Sequence, residues 1–189
     1  MTAVSEKLTP SIAKMIRADH THVLAVFHRY QKDAPPRIKQ GLADTICVAL
    51  EIHAQVEEEI FYPAVRAVNS ALVDRSVPEH DEMRRLMSAL RSMAPADASF
   101  DETFMELMRN VIHHVADEET VLIPEAERLL ADRLSELGTQ MARRRRQLTL
   151  ARAAEMTRNA VRAMPASTML VGAGALLAGT YVLRYALKR

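Results

Sequence analysis

HAQVEEEIFYP, residues 53–63, and HVADEETVLIP, residues 114–124, are one motif written twice. Each sets a histidine and a glutamate four residues apart, follows the glutamate with a second one, and places a proline ten residues after the histidine. His53, Glu57, Glu58 and Pro63 return as His114, Glu118, Glu119 and Pro124 at an offset of 61, and His20 returns as His80 at an offset of 60. On an α-helix, residues i and i+4 project from one face with Cβ atoms roughly 5–6 Å apart, so HxxxE aims an imidazole and a carboxylate at one point. Two copies supply two such points.

The flanking residues place these points inside a helical core. Ile12, Ile16, His20, Val23, Leu24 and Phe27 recur at intervals of three and four, which predicts a helix from about Thr9 to Tyr30, ended before Pro35 and Pro36. Leu42, Ile46, Leu50, His53, Val56, Glu57 and Ile60 form a second stripe, which Pro63 is expected to kink or end. Pro78 suits the first turn of a third helix bearing His80, Met83, Met87 and Leu90, stopping near Pro95. Ser99 and Glu102 read as a capping box for a fourth, with Phe104, Leu107, Val111, His114, Glu118 and Val121 on its core face as far as Pro124. Few aromatics, five glycines and no tryptophan in 189 residues argue against sheet. The expected fold is all-α: an up-down four-helix bundle made of a duplicated helical hairpin, followed by a basic helix and a C-terminal apolar helix. The corresponding divisions are residues 1–134, 135–163 and 164–189.

The polar groups on those core faces decide the chemistry. Burying one uncompensated carboxylate costs several kcal/mol, so a core holding Glu57, Glu118 and the imidazoles of His20, His53, His80 and His114 calls for an internal cation. A dinuclear centre uses all six groups, whereas a mononuclear zinc would use three or four. Cys47 is the single cysteine, which removes an internal disulfide and thiolate or iron–sulfur ligation. HExxH is absent, and no histidine has a glutamate three residues before it, as ferritin-like bundles require. His22, His28 and His113 fall off the stripes. Glu58, Glu59 and Glu119 read first as solvated helix charges, with orienting the ligands or accepting metal during loading as the alternative; Met83, Met87, Met105 and Met108 read as core filler, and Tyr62 as core packing, with a phenol supporting the ligands as the alternative.

The set His20, His53, Glu57, Glu58, Pro63, His80, His114, Glu118, Glu119 and Pro124, spread over roughly residues 10–147, resembles the hemerythrin/HHE cation-binding family. The resemblance implies a non-haem di-iron centre: two iron ions bridged by carboxylates and an oxo or hydroxo group, held by His20, His53, Glu57, His80, His114 and Glu118, with Glu57 and Glu118 bridging. Oxygen carriers of that family have a fifth histidine one turn after the third-helix ligand; Arg84 stands there instead. The four-His, two-Glu set is similar to that of bacterial iron-centre repair proteins and of HHE proteins linked to nitric oxide, peroxide or iron handling. The implied function is to bind iron and a small oxidant ligand (oxygen, nitric oxide or peroxide) in sensing, oxidative or nitrosative stress and iron handling. The alternatives are a di-iron oxidoreductase consuming peroxide or nitric oxide, and an iron donor for cluster repair.

ASTMLVGAGALLAGTYVL, residues 166–183, carries no charge and as a helix is about 27 Å long, close to the thickness of a bilayer's hydrocarbon core. It is expected to enter a membrane. Arg143 to Arg146, Arg152, Arg158 and Arg162 precede it against Arg184, Lys188 and Arg189 after it, which puts the bundle in the cytoplasm on a C-terminal anchor. Other roles for the run are docking on the bundle, association of copies through the small-residue face of Ala175 and Gly179 in a homo-oligomer, or a targeting tail for a protein shell. The arginines lack interleaved aromatics, so anionic lipid rather than nucleic acid is their expected partner.

Overall fold

Ser11 starts the first helix, its hydroxyl accepting from the Lys14 N–H at 3.4 Å. In the computed structural model, which describes residues 9–165, the helices are α1 (Ile12–His28), α2 (Pro36–Val56), α3 (Tyr62–Arg66), α4 (Ser76–Ser92), α5 (Phe100–Asp117), α6 (Ile123–Leu129), α7 (Leu134–Ala151) and α8 (Ala153–Arg162). Helix α1 packs on α2 and α5, and α4 packs on the same two. Each described element is helical or a turn, as the composition implies.

Neither HxxxE helix ends at its proline. Pro63 has no N–H, and its ring crowds the carbonyl four residues back. The chain widens instead into π turns, Glu57–Phe61 and Glu118–Leu122, in which the Tyr62 N–H bonds the Glu57 carbonyl and the Ile123 N–H bonds the Glu118 carbonyl, five residues back. The prolines then sit in the first turns of α3 and α6. The wider turn shifts the helical phase by a residue. Phe61 and Leu122 are therefore buried, while Val121, placed on the core face by strict α periodicity, is 54% exposed. A second expectation also fails. Ser99 lies in the αR region, makes no cap bond, and turns its hydroxyl to the Met93 sulfur at 3.8 Å, so no capping box forms.

The apolar residues form two clusters. One holds Phe27, Ile46, Leu50, Met83, Met87, Phe104 and Val111; the other holds Ile12, Ile16, Val56, Phe61, Val65, Leu122 and Ile123. In sequence, His20, His53 with Glu57, His80 and His114 with Glu118 each fall between members of the first cluster and members of the second. The polar groups thus occupy a layer closed above and below by packed hydrocarbon.

Beyond Arg133 the described residues form two further helices, α7 and α8, and both are docked on the bundle. Helix α7 lies on α1, α2 and the first π turn, and α8 lies on α2. Their arginines meet acids of the bundle: Arg144 with Glu59 at 2.6 Å, Arg152 with Glu51, Arg145 with Asp19, and Arg162 with Asp44 at 3.4 Å. Gly138 packs against the backbone of Pro10 and Ile12, and Gly41 against that of Arg162 and Ala163; a Cβ at Gly41 would lie 2.7 Å from the Arg162 carbonyl carbon. Gly41→Ala should therefore lower the melting temperature, although alanine is intrinsically the better helix former by about 1 kcal/mol, and should open α8 to limited proteolysis. Unchanged stability and protection would show that α8 is not seated on Gly41. Among the described residues no helix is long and apolar enough to cross a membrane; the run 166–183, expected to do so, lies outside the described residues.

Candidate metal centre

Four helices contribute one imidazole each: His20 from α1, His53 from α2, His80 from α4 and His114 from α5. The two carboxylates, Glu57 and Glu118, are the first residues of the two π turns. All six side chains are buried, none more than 3% exposed. Glu57 Oε2 lies 3.1 Å from His53 Nε2 and 3.4 Å from His80 Nε2, and Glu118 Oε2 lies 3.3 Å from His20 Nε2 and 3.6 Å from His114 Nε2. His80 Nε2 and His114 Nε2 are 3.2 Å apart. Two overlapping groups of four result, His20/His53/His114/Glu118 and His53/Glu57/His80/His114, each with its donor atoms within 4.8 Å of one another. The structure thus brings together the six residues singled out in the sequence, while His22, His28 and His113 are exposed.

The outward nitrogen of each ring faces an acid. His20 Nδ1 meets Glu119 at 2.9 Å, His80 Nδ1 meets Glu58 at 2.9 Å, His114 Nδ1 meets Glu79 at 2.8 Å, and His53 Nδ1 faces Asp19 at 3.7 Å. A carboxylate at Nδ1 holds the proton there, which turns the Nε2 lone pair inward and makes the ring a stronger donor. Glu58 and Glu119, partly exposed at 30% and 38%, therefore orient imidazoles, the alternative their helix positions left open. Glu59 is a solvated charge, pairing with Arg144 and Gln55 on the surface. Asp19 and Glu79 were missed, although a signal existed: an acid immediately precedes both His20 and His80, 60 residues apart. Arg84, in place of the fifth histidine, holds Glu58 through one nitrogen at 2.6 and 2.7 Å. The hydrogen bond to His80, together with Arg84, outweighs burial and holds the Glu58 carboxyl down at about 2.

Tyr62 does more than pack. Its hydroxyl lies 2.8 Å from Glu118 Oε1, 3.2 Å from Glu57 Oε2 and 3.2 Å from His80 Nε2. The second repeat has Ile123 at this position, so the phenol is present in one half only. Burial, together with the charges of Glu57 and Glu118, pushes its ionisation well above the usual range and keeps the proton on the oxygen.

The charges within the layer are unequal. Burial, and then the neighbouring Glu118 charge, push the Glu57 carboxyl well above its ordinary range. Burial opposes ionisation of Glu118 too, but the surrounding imidazoles, His20 foremost, outweigh it and hold that carboxyl below its ordinary range. His20 Nε2, His53 Nε2, Glu57 Oε1 and Glu118 Oε2 are buried without a hydrogen bond. Unbonded buried polar atoms are costly, and a cation bonded to imidazole nitrogen and carboxylate oxygen satisfies all four. The donor set therefore fits a bound metal. A cavity of about 350 Å³, lined by Ala71, Leu72, Ser76, Val121 and Leu122, reaches Glu118 from outside.

Similarity to known proteins agrees with this geometry. The chain is 31% identical over 123 residues to a protein named DNA nickase from Nostoc sp., a match that covers 65% of this chain and 35% of the nickase, about a third of that relative's length. It is 29% identical over 139 residues to the uncharacterized protein Rv2633c of Mycobacterium tuberculosis, covering 71% of this chain and 84% of that one. The crystal structure of a hemerythrin HHE cation-binding domain-containing protein from Mycobacterium kansasii, an Rv2633c homolog, superposes with a TM-score of 0.67 at 20% identity, over 82% of this chain and 99% of that one. It shares the fold. The sequence profile of the hemerythrin HHE cation-binding domain matches residues 11–126, most of the described region. With that match, and with the buried His and Glu groups at its heart, the chain belongs to the hemerythrin HHE cation-binding domain family.

Proposed function

We propose that the protein is a non-haem di-iron protein whose centre takes up a small oxidant ligand: oxygen, nitric oxide or peroxide. The observation that supports this most is the pair of overlapping, fully buried donor groups built from His20, His53, Glu57, His80, His114 and Glu118. In this reading α1, α2, α4 and α5 run up and down as a duplicated hairpin and residues up to about 134 contain the centre. Imidazole and carboxylate ligation suits iron. Two bound irons supply a redox-active pair open to a small oxidant.

The protein's own groups perform the rest. Glu119, Glu58 and Glu79 fix the tautomers and orient the rings of His20, His80 and His114. The apolar clusters above and below exclude water. Tyr62 holds a proton 2.8 Å from Glu118 Oε1. The cavity at Ala71 and Val121 gives the ligand its way in. Nucleic acid has no place in this reading: Arg144, Arg145 and Arg152 are engaged with acids of the same chain, and the DNA nickase is matched over about a third of its length. One observation favours a second reading, an oxidoreductase consuming peroxide or nitric oxide: the retained Tyr62 proton stands where a reduced oxidant would need one.

The test is to load the protein with ferrous iron without air and mix it rapidly with oxygen, nitric oxide or peroxide. At least one is expected to give a fast spectral change, and Ala71→Phe, which fills the cavity mouth, is expected to slow it about tenfold with iron content unchanged. A loaded protein silent to all three would overturn the proposal, and sustained turnover would select the enzymatic reading.

A further inference from the structure

Three of the four imidazoles are anchored at Nδ1 by a carboxylate at 2.8 to 2.9 Å. The fourth is not: Asp19 Oδ2 stops 3.7 Å from His53 Nδ1. The repeat makes this a broken symmetry, because Asp19 precedes His20 as Glu79 precedes His80, and Glu79 reaches His114 as Asp19 would reach His53. A competitor accounts for the difference. Arg145, from α7, contacts the same Oδ2 of Asp19, whereas no cation is paired with Glu79 among the described residues. Arg145 is only 27% exposed and its guanidinium sits against the bundle wall behind His53. The contact is an ion pair, and a full positive charge draws one carboxylate oxygen more strongly than a neutral imidazole N–H does.

We propose that Arg145 is a positioning residue for the metal centre: by holding Asp19 on α7 it leaves His53, which belongs to both donor groups, the least firmly anchored of the four imidazoles, and so weakens the centre's hold on metal. The inference rests on the dinuclear reading above. It gives the docked α7 helix a role in setting how readily the centre gives up metal. Partners at the outward nitrogen of a ligating histidine are typically worth 10- to 100-fold in metal affinity, so the site has a lever of that size. Helix α7 stays seated without Arg145, because Leu137 and Met141 are buried and Gly138 packs on Pro10 and Ile12.

The experiment is an anaerobic titration of the metal-free full chain with ferrous iron, comparing the wild type with Arg145→Met, which keeps the apolar stem of the side chain. Two unequal binding steps are expected in the wild type, and the weaker should tighten about tenfold in the variant as Asp19 closes on His53. Arg145→Lys should retain most of the wild-type inequality. Asp19→Asn added to Arg145→Met should reverse the gain. Arg144→Ala, which breaks surface contacts with Glu59 and Gln147, should change neither step. Nitrogen-15 NMR of the metal-free protein reads the same event without iron: the His53 Nδ1 proton should move downfield in Arg145→Met. If the wild type takes up no iron, the dinuclear reading falls and this inference with it. If it takes up two and Arg145→Met leaves both steps and the His53 signal unmoved, or if Arg144→Ala has the same effect, only the role of Arg145 is overturned.

Discussion

Glu57→Gln is expected to make the metal-free protein more stable and the metal-supplied protein less stable. Glu57 is fully buried, its Oε1 has no hydrogen bond, and its carboxyl is pushed toward the neutral form by burial and by Glu118. Without a cation it is a liability to the fold. The glutamine amide has nearly the same shape, carries no charge, and can donate to the Nε2 lone pairs of His53 and His80, which lie 3.1 and 3.4 Å from Oε2. Glutamine spares the fold the cost of holding an ionisable group neutral in the core, a gain of roughly 2 kcal/mol, which is about 4–8 °C in a protein of this size. With iron supplied the sign reverses, because an amide is a poor ligand and the stabilisation contributed by bound metal is lost. That contribution is about 4 kcal/mol when free metal stands at a thousand times its dissociation constant. Thermal melts of both proteins, with and without ferrous iron, check the crossing. A variant less stable than the wild type in both states would mean that Glu57 is held by partners within the protein rather than by a cation.

That contrast also shows what a sequence discloses. The HxxxE pairs, the apolar stripes and the 60- and 61-residue offsets are local or periodic, and from them the helical class and the six buried donors could be read directly. The acids behind the imidazoles were legible only in part, as an alternative role for Glu58 and Glu119 and as the acid preceding both His20 and His80. Glu119 bonds His20 and Glu58 bonds His80, contacts between the two repeats that no helical spacing encodes; on their own helices these glutamates look solvated. The π turns were hidden for a related reason. A proline announces a disturbed helix, but whether the chain ends, bends or widens depends on what the neighbouring layer gains. Here widening puts Phe61 and Leu122 into the core and lets Val121 face the cavity. The arginines of α7 and α8 read as a patch for lipid, because the acids they meet, Glu51, Glu59, Asp19 and Asp44, lie some 85 to 126 residues earlier in the chain.

The second large effect separates the imidazoles by position. His53 and His114 belong to both donor groups, whereas His20 and His80 each belong to one. His114→Ala should therefore leave almost no iron. Its melting temperature under loading conditions should fall by roughly 8–16 °C, which is the loss of about 4 kcal/mol of linkage in a chain of this length. His20→Ala leaves His53, Glu57, His80 and His114 in place, and His80→Ala leaves His20, His53, His114 and Glu118; each should keep close to one metal and lose less stability. In chelator-treated protein the three variants should lose similar amounts of stability, so that the gap between His114→Ala and the other two appears only with metal. Equal losses from all three alanine variants under loading conditions would show that the donor atoms act as one indivisible site.

The central claim is that this core holds two irons, and elemental analysis of the purified full chain, read with its ultraviolet–visible spectrum before and after anaerobic reduction, tests it most directly. Two irons per chain, with ligand-to-iron charge-transfer absorption that bleaches on reduction and is absent from His114→Ala, is the predicted result. A chain that holds no metal, or a single zinc with no visible absorption, would contradict it.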